Sequence, residues 1–231
     1  MKVVKFCSRS HNPVISRTKV QVCSVYYYRS TDNDFIRDIE EGEISRAYHP
    51  PSPAAYSGNE IGRMMGQSIS GSGTIRFQGK AVRTTHDIPN AYVFCTSRFD
   101  RPTLEQAASL GYDSFYVIRD PELFCDRMAQ AIRTEVAISS DVIAFHGEVS
   151  YQEDKEVVFS HLPDFFRSHK TIDPHLYLLK RRASRENGLT VYANEYEYRF
   201  VFVPVDEHKK PIPLTTDKIY LESSVMKDIV E

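Results

Sequence analysis

The amino-acid sequence predicts a mixed α+β fold, and three features support that prediction. Within 192–203, aromatic residues alternate with acids, an arginine and valines, which is the period of a β-strand. Residues 120–133 begin with aspartate and proline and continue with apolar residues at helical spacing, which indicates an α-helix. The chain has 231 residues, of which 41% are hydrophobic, so it can bury a full core as a single domain over residues 1–231.

The other elements follow from local signals in chain order. A run rich in valine and tyrosine at 20–29 predicts a strand that ends at Arg29, and a capping hydroxyl followed by helical spacing predicts a helix at 31–42. Residues 45–73 lose periodicity and are interrupted by proline and glycine, so we expect a loop insertion there, a candidate lid over a site. Further strands are expected at 75–82, 91–98, 114–119 and 142–151, and helical segments at 102–110, 162–166 and 174–181.

The strand at 192–203 carries two acids two residues apart. On a regular strand Glu195 and Glu197 point the same way and lie about 6–7 Å apart, which is close enough to disturb each other's titration and to share one polar ligand. This arrangement indicates a binding or catalytic site. An ordinary amphipathic strand, in which the charged face meets water and Arg199 neutralises Glu197, fits the same residues.

Two upstream segments place further polar residues beside predicted strands. Arg29 follows the run at 20–29, and the apolar strand at 91–98 runs into Thr96 and Ser97. An arginine, a Thr-Ser pair and a Glu-x-Glu strand in this order resemble the arginine, serine and glutamate clade of ADP-ribosyltransferases, the fold of many bacterial toxins. The resemblance implies an α+β fold with a split, mostly antiparallel sheet and flanking helices.

The same resemblance implies a role for each motif residue, with NAD as the substrate. Arg29 would hold the phosphate and ribose region of NAD, since a guanidinium binds a pyrophosphate through two parallel hydrogen bonds. Thr96 and Ser97 would support the site. Glu197 would stabilise the oxocarbenium-like ribose that forms when nicotinamide leaves, and Glu195 would accept a proton from the acceptor nucleophile.

The implied function is NAD-dependent mono-ADP-ribosylation of a macromolecular acceptor, a protein or a nucleic acid, in a toxin or phage-defence setting. The alternatives are an NAD glycohydrolase and a non-catalytic interaction domain on the same fold, in which Glu197 makes only structural ion pairs with Arg199 and Lys180. The motif order is also similar to a widespread bacterial family of uncharacterised domains found beside mobile elements and defence genes, which implies no activity.

Composition and the spacing of cysteines and histidines limit the possible partners and location of the protein. A net charge of -2 gives no overall attraction to nucleic acid or anionic membranes. The four cysteines have no Cys-x-x-Cys spacing, so we expect free thiols and a cytoplasmic location. No apolar run approaches the roughly 20 residues that a membrane span needs, and the eight histidines lack the spacing of a metal site, so neither a membrane partner nor a metal is expected.

Overall fold

The computed structural model describes residues 1–32, 41–49, 54–57, 59–61, 74–77, 82–100, 108, 111–136, 141–152, 156–161, 164, 172–181 and 196–231. The strands are β1 (Val3–Cys7), β2 (Val20–Ser24), β3 (Glu43–Tyr48), β4 (Ala54–Ser57), β5 (Thr74–Phe77), β6 (Val82–Asp87), β7 (Tyr92–Arg98), β8 (Ser114–Ile118), β9 (Asp141–Glu148), β10 (Ser150–Gln152), β11 (Glu156–Phe159), β12 (Leu179–Arg181), β13 (Glu197–Val205) and β14 (Lys218–Leu221). The α-helices are α1 (Pro13–Ser16), α2 (Tyr27–Ser30), α3 (Pro121–Glu135) and α4 (Pro174–Tyr177), and short 3₁₀ helices lie at Arg9–His11 and Ser223–Met226.

A seven-stranded sheet forms the centre of the molecule. Its strand order is β14-β2-β7-β1-β8, β13 also pairs with β7 and with β9, and every pairing is antiparallel. A three-stranded sheet, β11-β3-β6, contains one parallel pair, and β4-β5 and β10-β12 form two-stranded sheets. The predicted α+β class with a mostly antiparallel sheet is therefore confirmed.

Two strands share one edge of β7. β2 pairs with the first half of β7 at Val93, whereas β1 pairs with its last residues, Ser97 and Arg98. Between these two pairings, the ammonium group of Lys5 donates a hydrogen bond to the Cys95 carbonyl over 2.7 Å. The other edge of β7 pairs continuously with β13. Strand pairing is therefore interrupted along one edge of β7 and continuous along the other.

Helix α3 covers one face of the large sheet. The Asp120 carboxylate accepts a hydrogen bond from a backbone N–H of the first turn, and Pro121 follows at the first helical position, as the sequence predicts. Phe124 is fully buried and packs edge-on against Phe200 of β13, with ring centroids 4.8 Å apart. Apolar residues form most of this face around α3, and their packing fixes the helix against β13.

The opposite face packs against β3 and α4. Ile44 of β3 and Tyr177 of α4 are buried there together with Val201 and other inward residues of the large sheet. Because side chains alternate along a strand, Glu197 and Arg199 project toward the same side as Val201. The start of β13 thus carries two charged side chains into an otherwise apolar layer.

Arg29 does not lie at a strand end, which corrects the predicted strand at 20–29. β2 ends at Ser24, and Arg29 belongs to α2. The Ser24 hydroxyl accepts a hydrogen bond from the N–H of Tyr27 over 3.0 Å, which turns the chain out of the sheet and into α2. The position of the arginine is therefore set by a turn and one helical turn, not by strand alternation.

Other predicted boundaries also differ. Part of the expected loop insertion at 45–73 is regular structure, because residues 45–48 lie in β3 and 54–57 form β4. β3 is a strand because it pairs on both sides, with β6 and β11, and a local sequence window does not register such pairing. Only Pro174–Tyr177 of the helix expected at 174–181 is helical, and most of the helices expected at 31–42, 102–110 and 162–166 lies outside the described residues. The strands expected at 91–98 and 114–119 correspond to β7 and β8, whereas the strand expected at 142–151 is divided at Val149 into β9 and β10. Of the strand expected at 75–82, residues 75–77 lie in β5 and Val82 begins β6.

Three compositional features can be compared with the structure. All four cysteines are free thiols, of which Cys95 is partly exposed and the others are buried. Among the helices of the described residues, none has the length and apolar character that crossing a membrane requires. In the same part of the chain, no three histidine, cysteine, aspartate or glutamate side chains gather in a way that could hold a metal ion.

Candidate functional site

Four charged side chains meet between the large sheet and β3, and we call them the buried charge cluster. Its members are Glu41, Lys180, Glu197 and Arg199, with exposed fractions of 3%, 7%, 4% and 2%. β13 supplies Glu197 and Arg199, β12 supplies Lys180, and the turn before β3 supplies Glu41. Three separate elements therefore contribute to one polar centre inside the protein.

Arg199 is the central member of the cluster. Its Nη1 lies 2.8 Å from Oε1 of Glu41, and its Nη2 lies 2.8 Å from Oε1 of Glu197. Nη1 also donates to the carbonyl of Tyr177 over 2.9 Å. The Lys180 ammonium lies 3.0 Å from Oε2 of Glu197 and 3.9 Å from Oε2 of Glu41. Two cations and two carboxylates thus cancel in formal charge, which is the condition under which buried ions are tolerated.

The ion pairs determine how Glu197 and Arg199 titrate. Burial by itself would raise the pKa of Glu197, but the positive charges of Arg199 and Lys180 outweigh burial and hold the pKa well below its usual range. Burial would likewise lower the pKa of Arg199, and the carboxylates of Glu197 and Glu41 instead raise it well above its usual value. Both side chains therefore remain charged at neutral pH.

Arg29 lies at the rim of the cluster. Its Nη2 is 2.7 Å from Oδ1 of Asp87, and its Nε donates to the backbone carbonyl of Glu41. The next residue, Gly42, has a φ of +73°, and a Cβ placed there would lie 2.5 Å from Cγ1 of Val25, so only glycine fits this approach. Arg29 therefore reaches the cluster through the main chain of Glu41, with its side chain 22% exposed.

Thr96 and Ser97 lie on opposite faces of β7. Ser97 is the cross-strand partner of Glu197, so the two side chains share the face of the cluster. The Thr96 hydroxyl instead donates to the carbonyl of Tyr198 over 2.8 Å, and Thr96 is buried on the side of α3. Of the residues that the sequence predicts for the site, the structure brings Arg29, Ser97 and Glu197 to one face and places Thr96 on the other.

Glu195 lies outside the described residues. Tyr196, which follows it, has a φ of 47°, and β13 begins only at Glu197. The regular alternation that would place two acids on one face of this strand therefore starts after Tyr196. The structure supplies a partner acid for Glu197 from elsewhere, namely Glu41.

Sequence reasoning missed Glu41. The sequence predicts Lys180 and Arg199 as ion-pair partners of Glu197 in a non-catalytic domain, whereas it places Glu41 at the end of the helix expected at 31–42. Arg199 and Glu41 are 158 residues apart in the chain. The only local signal was an acid directly before Gly42, which marks a turn and identifies no partner.

Comparisons with protein-family models, with curated proteins and with solved structures found no match to this chain. The geometry of the described residues is therefore the basis for any assignment. Its main chemical feature is that both oxygens of Glu197 already accept from cations, Oε1 from Arg199 and Oε2 from Lys180. A site built in this way has its charge balanced internally.

Proposed function

We propose that this chain is a non-catalytic interaction domain on an ADP-ribosyltransferase-like fold, in which Glu197 has a structural role. The observation that carries the proposal is the state of Glu197: it is 4% exposed and paired with both Arg199 and Lys180. A carboxylate that stabilises an oxocarbenium ion must reach the ribose and keep its negative charge uncompensated. Glu197 in this arrangement does neither.

Strand topology and motif order support the proposed ADP-ribosyltransferase-like fold. One edge of β7 is shared by β1 and β2, which divides the large sheet, and Ser97 stands opposite Glu197 on the other edge. Arg29 approaches the same face from α2. This order, an arginine on α2, then a serine and a glutamate on paired strands, supports the ADP-ribosyltransferase-like fold as a proposal about ancestry, separate from any activity.

The surface proposed for interaction is the end of the large sheet beside Ser97, formed by Lys2, Arg98, Phe99 and Tyr196. Phe99 is 52% exposed and Tyr196 is 36% exposed, and the N–H of Arg98 donates to the Tyr196 carbonyl over 3.0 Å. Lys2 is paired with Glu231 and Arg98 with Asp100, so the surface combines aromatic rings with balanced charges. Exposed aromatic and arginine side chains are enriched at protein interfaces, and we therefore propose a protein partner.

A photo-crosslinking residue at position 99 tests this surface. We expect it to join to one protein species in cells that produce the full chain, because Phe99 would be covered by the partner. The matched control is the same residue at position 220, since Tyr220 is 47% exposed on β14, at the far edge of the sheet. An equal pattern of crosslinks at positions 99 and 220, or none at 99, would remove the proposed interface.

A second candidate function is NAD-dependent mono-ADP-ribosylation, or NAD hydrolysis, in a toxin or phage-defence setting. The observation that favours it is that Arg29, Ser97 and Glu197 lie on one face around Glu41 and Arg199. In this alternative, NAD binding would separate Glu197 from Lys180 and Arg199 and give the carboxylate access to the ribose. Contacts with NAD would have to offset the free energy that is needed to separate these ion pairs.

Nicotinamide release and transfer of labelled ADP-ribose from NAD distinguish the two candidates. We expect the folded wild-type protein, supplied with cell extract as the acceptor, to release no nicotinamide above the buffer rate. For an enzyme, Glu197→Gln should reduce NAD cleavage by about 100-fold or more, because charge stabilisation of the transition state is lost. Under the same alternative, Glu195→Gln should reduce transfer while hydrolysis survives. Turnover by the wild type that disappears in Glu197→Gln would overturn the non-catalytic proposal.

The stability of Glu197→Gln provides the second measurement in this experiment. A structural role predicts a loss of about 3 kcal/mol at neutral pH, because the substitution leaves Lys180 and Arg199 buried with Glu41 as the remaining carboxylate of the cluster. The folded pKa of Glu197 is lowered, so its contribution is fully present above the unfolded value of about 4.5 and is lost as the pH falls toward the folded value. The variant should therefore lose less stability than the wild type on acidification below that pH.

A further inference from the structure

Arg46 is buried in the middle of β3 without a partner for much of its guanidinium group. The residue is 3% exposed, and its Nε and Nη1 are buried and donate to no acceptor among the described residues. Within the sheet Arg46 pairs with Thr84 of β6 and with Val157 of β11. Ile44 and Tyr48, two residues away on each side, are also buried, so the side chain of Arg46 points inward with them.

An arginine that is buried without a counter-ion destabilises the folded protein. The guanidinium does not lose its proton in proteins, so burial leaves a positive charge that requires compensation. The other buried cations of the described part of the chain, Lys180 and Arg199, are both ion-paired. No such ion pair is formed by Arg46 with any described carboxylate, and the contrast indicates that something outside the described side chains balances it.

One acid acts on Arg46 from a distance. Burial lowers the pKa of Arg46, and the charge of Asp173 partly offsets this effect. The Asp173 carboxylate is exposed and already caps α4, where its Oδ1 accepts from the N–H of His175 over 3.0 Å. Asp173 therefore leaves the Nε and Nη1 donors of Arg46 unpaired.

We propose that Arg46 anchors a binding site for a small oxyanion, a phosphate or carboxylate group, between β3 and the segment that carries Asp173. An oxyanion supplies both a negative charge and several acceptor oxygens, which are the two things that this guanidinium lacks. A buried water would supply acceptors but would leave the charge uncompensated. The site is distinct from the buried charge cluster and does not depend on the proposed function.

Thermal unfolding in inorganic phosphate tests the proposal. At constant ionic strength, replacing chloride by phosphate should raise the Tm of the wild type by about 5 °C when the site is saturated. Arg46→Met keeps the length of the side chain and removes the charge, so its Tm should not respond to phosphate and should equal or exceed that of the wild type in phosphate-free buffer. Arg133→Met, at an arginine whose side chain is 58% exposed, is the matched control and should keep the wild-type response. An unresponsive wild type, or an equal response of Arg46→Met, overturns the site.

Direct binding keeps the test independent of how Arg46→Met folds. Equilibrium dialysis with labelled phosphate should give one equivalent bound per wild-type chain, and competition by acetate distinguishes a carboxylate site from a phosphate-selective one. Asp173→Asn keeps the helix cap and removes the nearby negative charge, so it should tighten phosphate binding by at least about twofold. Unchanged phosphate binding in Asp173→Asn would place the bound anion away from Asp173, and that result contradicts the proposal.

Discussion

Replacement of Arg199 by methionine is expected to lower the free energy of unfolding by about 3–5 kcal/mol. The substitution leaves the carboxylates of Glu41 and Glu197 buried with Lys180 as the remaining cation of the cluster, and an uncompensated buried charge is strongly destabilising. Methionine has a similar length, so the effect of the lost charge exceeds the effect of lost volume. Urea denaturation with linear extrapolation measures the change.

Two further variants show whether charge balance is the cause. Arg199→Met combined with Glu41→Gln leaves one cation, Lys180, and one carboxylate, Glu197, so the formal charge of the cluster is balanced again and we expect part of the lost stability to be recovered. Arg133→Met, whose arginine is 58% exposed and 4.0 Å from Asp141, should change the stability by less than about 0.5 kcal/mol. If Arg199→Met cost no more than this exposed control, the cluster would not be a buried ion-pair network.

Phe200→Ala is the second substitution with a large expected effect, a loss of about 3–5 kcal/mol. Phe200 is fully buried, and its ring lies 4.8 Å from the ring of Phe124 and 6.3 Å from that of Phe94. Truncation therefore opens a cavity at the contact between α3 and the centre of the large sheet. Thermal and urea unfolding should both show the loss, because a rigid core collapses only partly around a cavity.

Phe115→Ala is the matched control for this cavity. Phe115 lies on β8 of the same sheet, but it is 44% exposed, so the same atoms are removed without opening an enclosed space. We expect a loss of less than about 1 kcal/mol. Similar losses for Phe115→Ala and Phe200→Ala would mean that α3 does not pack on β13 as described.

Some elements could be predicted from the sequence because their signals are local. Asp120 and Pro121 mark the start of α3, and apolar residues at helical spacing mark the face that it buries. β7 and β8 are short apolar runs bounded by turn residues, so their positions could also be predicted. In each case the residues that decide the structure are within a few positions of one another.

Other elements depended on residues that are distant in the chain. β3 lies where the sequence loses periodicity, and its pairing with β6 and β11 makes it a strand. The run at 20–29 has strand-forming residues throughout, but β2 ends at Ser24, whose hydroxyl donates to Asp217 and accepts from Tyr27. Tertiary contacts of this kind override a local preference, which is worth only about 1 kcal/mol.

The sequence by itself determined the residue types of the candidate site, and the tertiary structure decided what those residues do. Arg29, Ser97 and Glu197 could be selected from motifs, and the fold gathers them on one face. Whether Glu197 is available to a ligand depended on two residues from separate elements. Lys180 pairs with Glu197 itself, and Glu41 pairs with Arg199. The physical reason is that a buried carboxylate takes its properties from the charges within a few ångströms of it, and no sequence pattern specifies which distant charges those are.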